Sequence, residues 1–249
     1  MVTAETVRTG RNDHHAAGAV DSARGDDIEL RINGSKPLTM ACVSAVETIC
    51  AAVESVEATT MLPVYVSGTP DAGWVHNLDV ALVTKWERAL RRLERLGVTT
   101  VAIASGDCGG VALDALLATD YRIATPDVRM SLPMDGEATW PGMAIFRLSQ
   151  QVGGTRMRRA ILFGTPIDAS EGVDLGLIDE LAEDPAHALA AAAARTSTLS
   201  GTELAIRRQL MFDAATTSFE EALGRHLAAC DRALRRSAAK AATSGSGTT

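Results

Sequence analysis

One stretch limits the folds open to this chain more than any other. A run rich in β-branched residues at 98–104 leads directly into Ser105-Gly106-Asp107-Cys108-Gly109-Gly110-Val111. An apolar stretch follows at 112–117 and reads as a buried helix. Strand, small-residue turn and helix in that order imply a crossover unit, in which the next strand returns parallel to the first. Small residues let the backbone turn tightly and bring N–H groups close to a ligand. Such N–H groups can hold a phosphate or a developing oxyanion. The turn is therefore the first place to look for chemistry, and glycines alone do not say which chemistry.

The same alternation runs through the first half of the chain. Residues 28–32 and 62–66 read as strands, closed by the turn signals Asn33-Gly34 and Ser67-Gly68. Residues 40–56 show apolar positions at helical spacing, with Thr39 placed to cap them. A second helix is expected at 78–96. Leu82, Trp86, Leu90 and Leu93 share one of its faces. Arg88, Arg91, Arg92 and Arg95 decorate the rest. They read either as a solvated face partnered by Glu87 and Glu94 or as an anion or subunit contact. Short strands are expected at 121–124 and 129–132, helices at 144–152 and 155–163, a short helix at 169–175, and extended chain at 177–181. The last third is helical, with segments at 187–194, 203–210 and 218–236. The last of these opens on Ser218 and Glu221 as a capping box. The fold class is α/β with a largely parallel sheet. A doubly wound nucleotide fold is the general alternative, but no acidic residue sits at the usual distance after a first-strand glycine loop.

Bulk properties narrow the function. A length of 249 residues with 46% hydrophobic residues supports a substantial core. The 24 Lys and Arg against 31 Asp and Glu leave a net charge of −7, which argues against a general nucleic-acid binder. Cys42, Cys50, Cys108 and Cys230 match no zinc spacing and are too sparse for a disulfide scaffold, so free thiols are expected. No run of apolar residues is long enough for a membrane span, and the N-terminus lacks the apolar block of a secretory signal. A soluble cytoplasmic protein is the expectation. Residues 1–27 and 241–249 read as a disordered leader and tail. His14 and His15 fall in the leader with no other ligand near in sequence, and no metal is assigned to them.

A set of short motifs in fixed order resembles the enoyl-CoA hydratase/isomerase, or crotonase, superfamily. It comprises Gly97 to Gly106, Cys108-Gly109-Gly110, Leu113-Asp114 and Ala118-Thr119-Asp120-Tyr121-Arg122-Ile123-Ala124. It continues through Leu132-Pro133, Trp140-Pro141-Gly142, Gly164-Thr165-Pro166-Ile167-Asp168-Ala169, Glu171-Gly172 and Leu175-Gly176-Leu177-Ile178-Asp179. A narrower resemblance rests on Lys85 to Leu90, Ser105 to Gly110, Ala138 to Met143, Arg207 to Leu210 and Leu227 to Arg236. These are similar to the crotonase-like enzymes that accompany a type III polyketide synthase in making 3,5-dihydroxyphenylacetyl-CoA, the precursor of dihydroxyphenylglycine in glycopeptide antibiotics.

The resemblance implies a spiral of ββα units over a core at 28–181, a helical trimerisation region at 182–240, and a homotrimer or hexamer. It implies an acyl-CoA substrate, with coenzyme A as part of that substrate, no tightly bound cofactor, and the synthase as a partner. It also implies two backbone N–H groups that hold the thioester oxygen as an enolate forms. One is carried onto Val111, after Gly110. The other is carried onto Leu78, in the Asn77-Leu78-Asp79 run. Of the family's two glutamates, the first falls on Asp114, a shorter carboxylate. The second falls on Met134, which cannot move a proton. Asp135 and Glu137 lie beside that gap.

A single carboxylate can shift a double bond or dehydrate an activated β-hydroxy thioester, which favours dehydration or isomerisation over hydration. Asp114 reads as that base or as a helix aspartate with a local partner. Trp74, Met134, Trp140 and Met143 are the candidate acyl-pocket residues. Cys108 reads as packing. Arg156, Arg158 and Arg159 read as CoA-phosphate contacts or surface, and His187 and His226 as structural or exposed. Two other readings stay open: an accessory protein that binds and stimulates the synthase, and a simple enoyl-CoA isomerase.

Overall fold

The computed structural model describes residues 20–23, 28–56, 59–196 and 201–245, without side-chain detail at 20–23 and 240–245. His14 and His15 lie outside the described residues. The chain opens with β1 (Val20–Ala23), β2 (Glu29–Asn33), α1 (Met40–Ser55) and β3 (Met61–Gly68). A short 3-10 turn at Trp74–Asn77 leads into α2 (Val80–Leu93), β4 (Thr99–Gly109), α3 (Val111–Leu117), β5 (Tyr121–Ala124) and β6 (Arg129–Ser131). There follow α4 (Met143–Val152), α5 (Gly154–Phe163), β7 (Ile167–Asp168), α6 (Ala169–Asp174) and β8 (Glu180–Leu181). Three helices close the chain: α7 (Pro185–Thr196), α8 (Thr202–Ala214) and α9 (Phe219–Gly245).

The sheet order is β1-β2-β3-β4-β5-β8, parallel from β2 onward, with β1 antiparallel at the edge. Two expectations need correction. The leader expected at 1–27 contains strand β1, whose backbone pairs residue by residue with β2 from Val20–Ile32 to Ala23–Glu29. The tail expected at 241–249 is helical as far as Gly245, because alanine-rich sequence continues α9 without a stop signal.

The larger correction concerns β4. The glycine run is not a turn but the second half of this strand. Residues 101–104 pair with β5, and residues 107–109 leave β5 and pair with β6. The change of partner falls at Ser105-Gly106, where Gly106 takes a φ of 59° that other residues rarely adopt. One strand thereby serves two parts of the sheet, and β7 extends the second part antiparallel to β6. The chain turns only at Gly110, with φ 53° and ψ −130°, directly before α3.

The core lies between this sheet and α1, α2 and α3. Trp86, Leu90 and Leu93 of α2 are buried against it, as their spacing requires. Six of the seven residues of α3 are buried, Asp114 being the half-buried exception, so this helix has no solvated face. Two arginines fix the frame. Arg122 is buried and donates to the carbonyls of Leu116, Leu117 and Thr119, closing the C-terminal end of α3. Arg208 on α8 reaches both Asp120 oxygens and the carbonyls of Leu96 and Val98. The capping box expected at α9 is present: Ser218 N donates to Glu221, and Glu221 N donates to Ser218 Oγ. Among the described residues no helix is long and apolar enough to cross a membrane.

Candidate active site

The loop that follows β3 meets the end of β4 at very close range. A Cβ on Gly109 would collide with the side chain of Thr69, and one on Gly110 would stand 3.1 Å from the Pro70 ring. Glycine at these positions lets Thr69-Pro70 lie directly on the strand–helix junction. Val111, buried at 6% exposure, begins α3. The first intrahelical bond is made by Asp114 N to Gly110 O at 3.0 Å. The N–H groups of Val111, Ala112 and Leu113 precede that bond and have no acceptor within the helix.

Leu78, Asp79 and α2 form one wall of a cavity of about 550 Å³. Leu78, Val80, Val83 and Glu87 line it from one side, and Trp140 and Met143 from the other. Arg88 and Arg91 also border it. Asp79 caps α2 by accepting from Leu82 N at 2.6 Å, which sets the start of that wall. Trp74 meets Trp140 edge to face at 5.2 Å between ring centroids. Its indole N–H donates to Met134 O at 3.0 Å, tying the 3-10 turn to the hairpin bridged at Met134 and Thr139.

The structure therefore brings Leu78, Trp140 and Met143 to the cavity wall, with Trp74 against the Trp140 ring and bonded to Met134. Gly110, Val111 and Asp114 are not on that wall. One expected role is altered: the Leu78 N–H donates to Val75 O at 3.0 Å. That bond closes the 3-10 turn, so Leu78 contributes its side chain rather than a free donor. Asp135 and Glu137 are exposed, and Asp135 Oδ1 accepts from the backbone of its own loop at Glu137 and Ala138. Neither fills the gap left at Met134, because the tight hairpin turns both outward.

Asp114 has a built environment. It is half-buried, and the Trp86 indole N–H donates to its Oδ2 at 3.2 Å. Burial, followed by the negative charge of Glu87, pushes its pKa up to about 7, while Arg147 and the Trp86 bond pull the other way. Glu87 is itself half-buried and raised, chiefly by burial, against the pull of Arg147. Arg147 of α4 is buried between Glu87 at 2.9 Å and Glu94 at 2.8 Å. Glu87 lines the cavity, although the arginine-rich stretch beside it reads as a solvated face. The signal was there: Glu87 and Glu94 stand seven residues apart, two turns along a helix, directly beside Trp86 and Leu93. Reading either as buried required its partner on α4, some 60 residues away.

The remaining candidates are peripheral. The buried Cys108 thiol is pushed up to about 12, mainly by burial, which leaves it inert. Arg156, Arg158 and Arg159 are exposed, and Arg156 donates to Asp174 O at 3.1 Å. His187 and His226 are exposed. Among the described residues no group of three or more His, Cys, Asp or Glu could hold a metal.

A half-buried carboxyl raised to about 7 by burial, bonded to the indole of the helix that lines an apolar cavity, suits proton transfer at carbon. A relative from Amycolatopsis orientalis described as an enoyl-CoA-hydratase is 50% identical over 212 residues, which span 85% of this chain and 98% of the relative. The chain belongs to the enoyl-CoA hydratase/isomerase family. No family profile matches the chain. As a member of this family of lyases and isomerases, the protein is an enzyme.

Solved structures agree on the fold of this hydratase/isomerase chain. An enoyl-CoA hydratase from Shewanella pealeana ATCC 700345 matches with a TM-score of 0.75 at 16% identity, over 86% of this chain and 87% of that one. One from Mycobacterium smegmatis matches at 0.75 and 15%, over 88% and 91%. A Thermobifida fusca YX chain solved in complex with acetoacetyl-CoA matches at 0.74 and 14%, over 89% and 96%. At these identities the structural likeness establishes the crotonase fold, in agreement with the expected α/β class.

Proposed function

We propose that this hydratase/isomerase-family enzyme dehydrates or isomerises a polyketide-derived acyl-CoA on the way to 3,5-dihydroxyphenylacetyl-CoA. The observation that carries the reading is Asp114, a carboxyl raised to about 7 by burial at the start of α3. A base of that strength is well matched to removing a proton α to a thioester near neutral pH. Negative charge then develops on the thioester oxygen, and the N–H of Val111, which has no acceptor within α3, is the donor assigned to it. Loss of one such donor in comparable sites costs about 3–4 kcal/mol. Coenzyme A enters as part of the substrate, with no tightly bound cofactor.

The polyketide assignment rests on the motif set around Lys85 to Leu90, Ala138 to Met143 and Arg207 to Leu210. The wall of Leu78, Trp140 and Met143 suits a flat, largely apolar acyl group. Met134 supports dehydration or isomerisation over hydration, because no carboxylate at that position activates water. The same family relation supports a homotrimer or hexamer built on α7–α9 and a type III polyketide synthase as partner.

The test is a reaction of malonyl-CoA with the synthase, its products identified by mass, in the presence of wild-type protein or Asp114→Asn. The expected result is 3,5-dihydroxyphenylacetyl-CoA with wild type and its loss with the variant. Unchanged product yield with Asp114→Asn overturns the catalytic role and leaves stimulation of the synthase by binding. Turnover of simple 3-enoyl-CoA thioesters without any effect on the polyketide product reassigns the enzyme as an enoyl-CoA isomerase.

A further inference from the structure

Asp114 and Glu87 stand in one charge cluster, and its composition sets how many protons it holds. Its members are the carboxyls Asp114, Glu87 and Glu94 and the guanidinium groups Arg147 and Arg91. Arg147 Nη1 meets Glu87 Oε2 at 2.9 Å and its Nε meets Glu94 Oε1 at 2.8 Å. Arg91 Nη1 meets the other Glu94 oxygen at 2.6 Å. Glu94 is thus doubly paired. Two guanidinium groups then face three carboxyls, one carboxyl more than they can pair. Neighbouring carboxyls under such conditions share a proton instead of ionising together. Arg88 borders the cavity from its exposed side, where its charge is solvated and does not replace that proton.

The members of the pair differ in position. Glu87 lines the cavity, and Asp114 is held by the indole N–H of Trp86, the residue that precedes Glu87 on α2. Glu87 can also be neutralised without stranding its partner, because Arg147 keeps Glu94 at 2.8 Å. An unpaired buried guanidinium would be strongly unfavourable. We propose that Glu87 is the second catalytic carboxyl of this enzyme, the acid that protonates the leaving hydroxyl of a β-hydroxyacyl-CoA while Asp114 takes the α proton.

The inference rests on the CoA-thioester reading above, and its chemistry balances. Asp114 removes the α proton, and the electron pair of that C–H bond forms the enolate. Collapse of the enolate makes the carbon–carbon double bond as the β carbon–oxygen bond breaks. The departing oxygen takes the Glu87 proton and leaves as water. The pair gains one proton and gives one, so it ends the turnover with the single proton it began with. A carboxyl on α2 thereby does the work that Met134 cannot.

Two reactions of the same protein separate the roles. Exchange of the α protons of phenylacetyl-CoA in deuterated water needs only the base, and dehydration needs base and acid. Wild type, Glu87→Gln, Glu87→Asp and Asp114→Asn are each measured in both, with circular dichroism to confirm the fold. Glu87→Gln is expected to keep exchange within about 5-fold of wild type and lose at least about 100-fold in dehydration, the lower range for a general acid. Glu87→Asp recovers part of that loss, and Asp114→Asn loses both reactions. Dehydration by Glu87→Gln at the wild-type rate overturns the proposal and leaves the Asp114 reading intact. Equal loss of both reactions in a folded Glu87→Gln overturns the acid role as well. A wild-type protein that neither exchanges nor dehydrates overturns the thioester reading itself.

Discussion

Replacing Asp114 by Asn should stabilise this enzyme at alkaline pH while abolishing its activity. The folded protein raises the Asp114 carboxyl to about 7, through burial first and the Glu87 charge second. In the unfolded chain the group titrates near 3.9. Between roughly pH 4 and pH 7 the folded state therefore holds a proton that the unfolded state has released. Stability falls as pH rises whenever the folded state binds more protons. The penalty is absent below about pH 4 and complete above about pH 7. A shift of this size corresponds to about 4 kcal/mol at roughly 1.4 kcal/mol per pH unit. Asp114 is half-buried and shares its charge with Glu87, so screening and coupling reduce the expected effect to about 2 kcal/mol.

Asn removes the ionisation and keeps an oxygen for the Trp86 N–H, so that bond survives. Urea unfolding of wild type and Asp114→Asn at about pH 5 and about pH 8 reads the difference. The variant should be more stable by about 2 kcal/mol at the higher pH and by less than about 1 kcal/mol at the lower. An offset that is the same at both pH values refutes the argument, since only ionisation makes it depend on pH. Loss of activity together with gain of stability is the expected mark of a charge held in place for chemistry.

Other consequences follow from the frame around the site. Arg208→Ala should destabilise by about 3–5 kcal/mol, because it leaves Asp120 and the carbonyls of Leu96 and Val98 without their donor. Chemical unfolding measures this, and a loss under about 1 kcal/mol counts against the clamp. Cys50 and Cys108 are buried with thiols pushed up to about 12, and Cys42 is buried too. Brief iodoacetamide labelling of the native protein, mapped by mass spectrometry, should therefore modify the exposed Cys230 well before these three. Gly109→Ala places a methyl against Thr69 and should lower both stability and activity, with partial recovery in the Gly109→Ala/Thr69→Gly double variant. Trp74→Phe keeps the ring against Trp140 but deletes the bond to Met134 O, which should cost about 1 kcal/mol in thermal unfolding.

What the sequence disclosed and what it concealed divide along the range of the forces involved. The order of strands and helices was legible because hydrophobic period is a local property, and Leu82, Trp86, Leu90 and Leu93 are enough to orient α2. The start of α9 was legible because Ser218 and Glu221 satisfy each other within one turn. The glycine run reads as a turn because its strand partners are remote: Gly68 pairs with Cys108, and residues 129–131 pair with 107–109. Nothing local distinguishes a glycine that turns the chain from one that lets another segment pass close by. Leu78 was misassigned for a related reason, since its N–H is consumed by a 3-10 bond whose acceptor, Val75, lies in a turn with no helical period.

Glu87 is the most instructive case. Beside a stretch with four arginines in eight residues, a glutamate reads as a surface partner, and local charge favours that view. The guanidinium that decides its fate belongs to Arg147, on a helix that meets α2 only after the chain has built β4 to β6. Arg147 is buried because it has two glutamates to meet, and each glutamate is kept half-buried or deeper by that same guanidinium. The burial of each depends on the others, so no single residue announces it. Burial first and the Glu87 charge second raise Asp114, with partial relief from Arg147 and the Trp86 bond. A carboxyl tuned to neutrality is thus a property of the assembled cluster, and sequence alone shows only its unlinked parts.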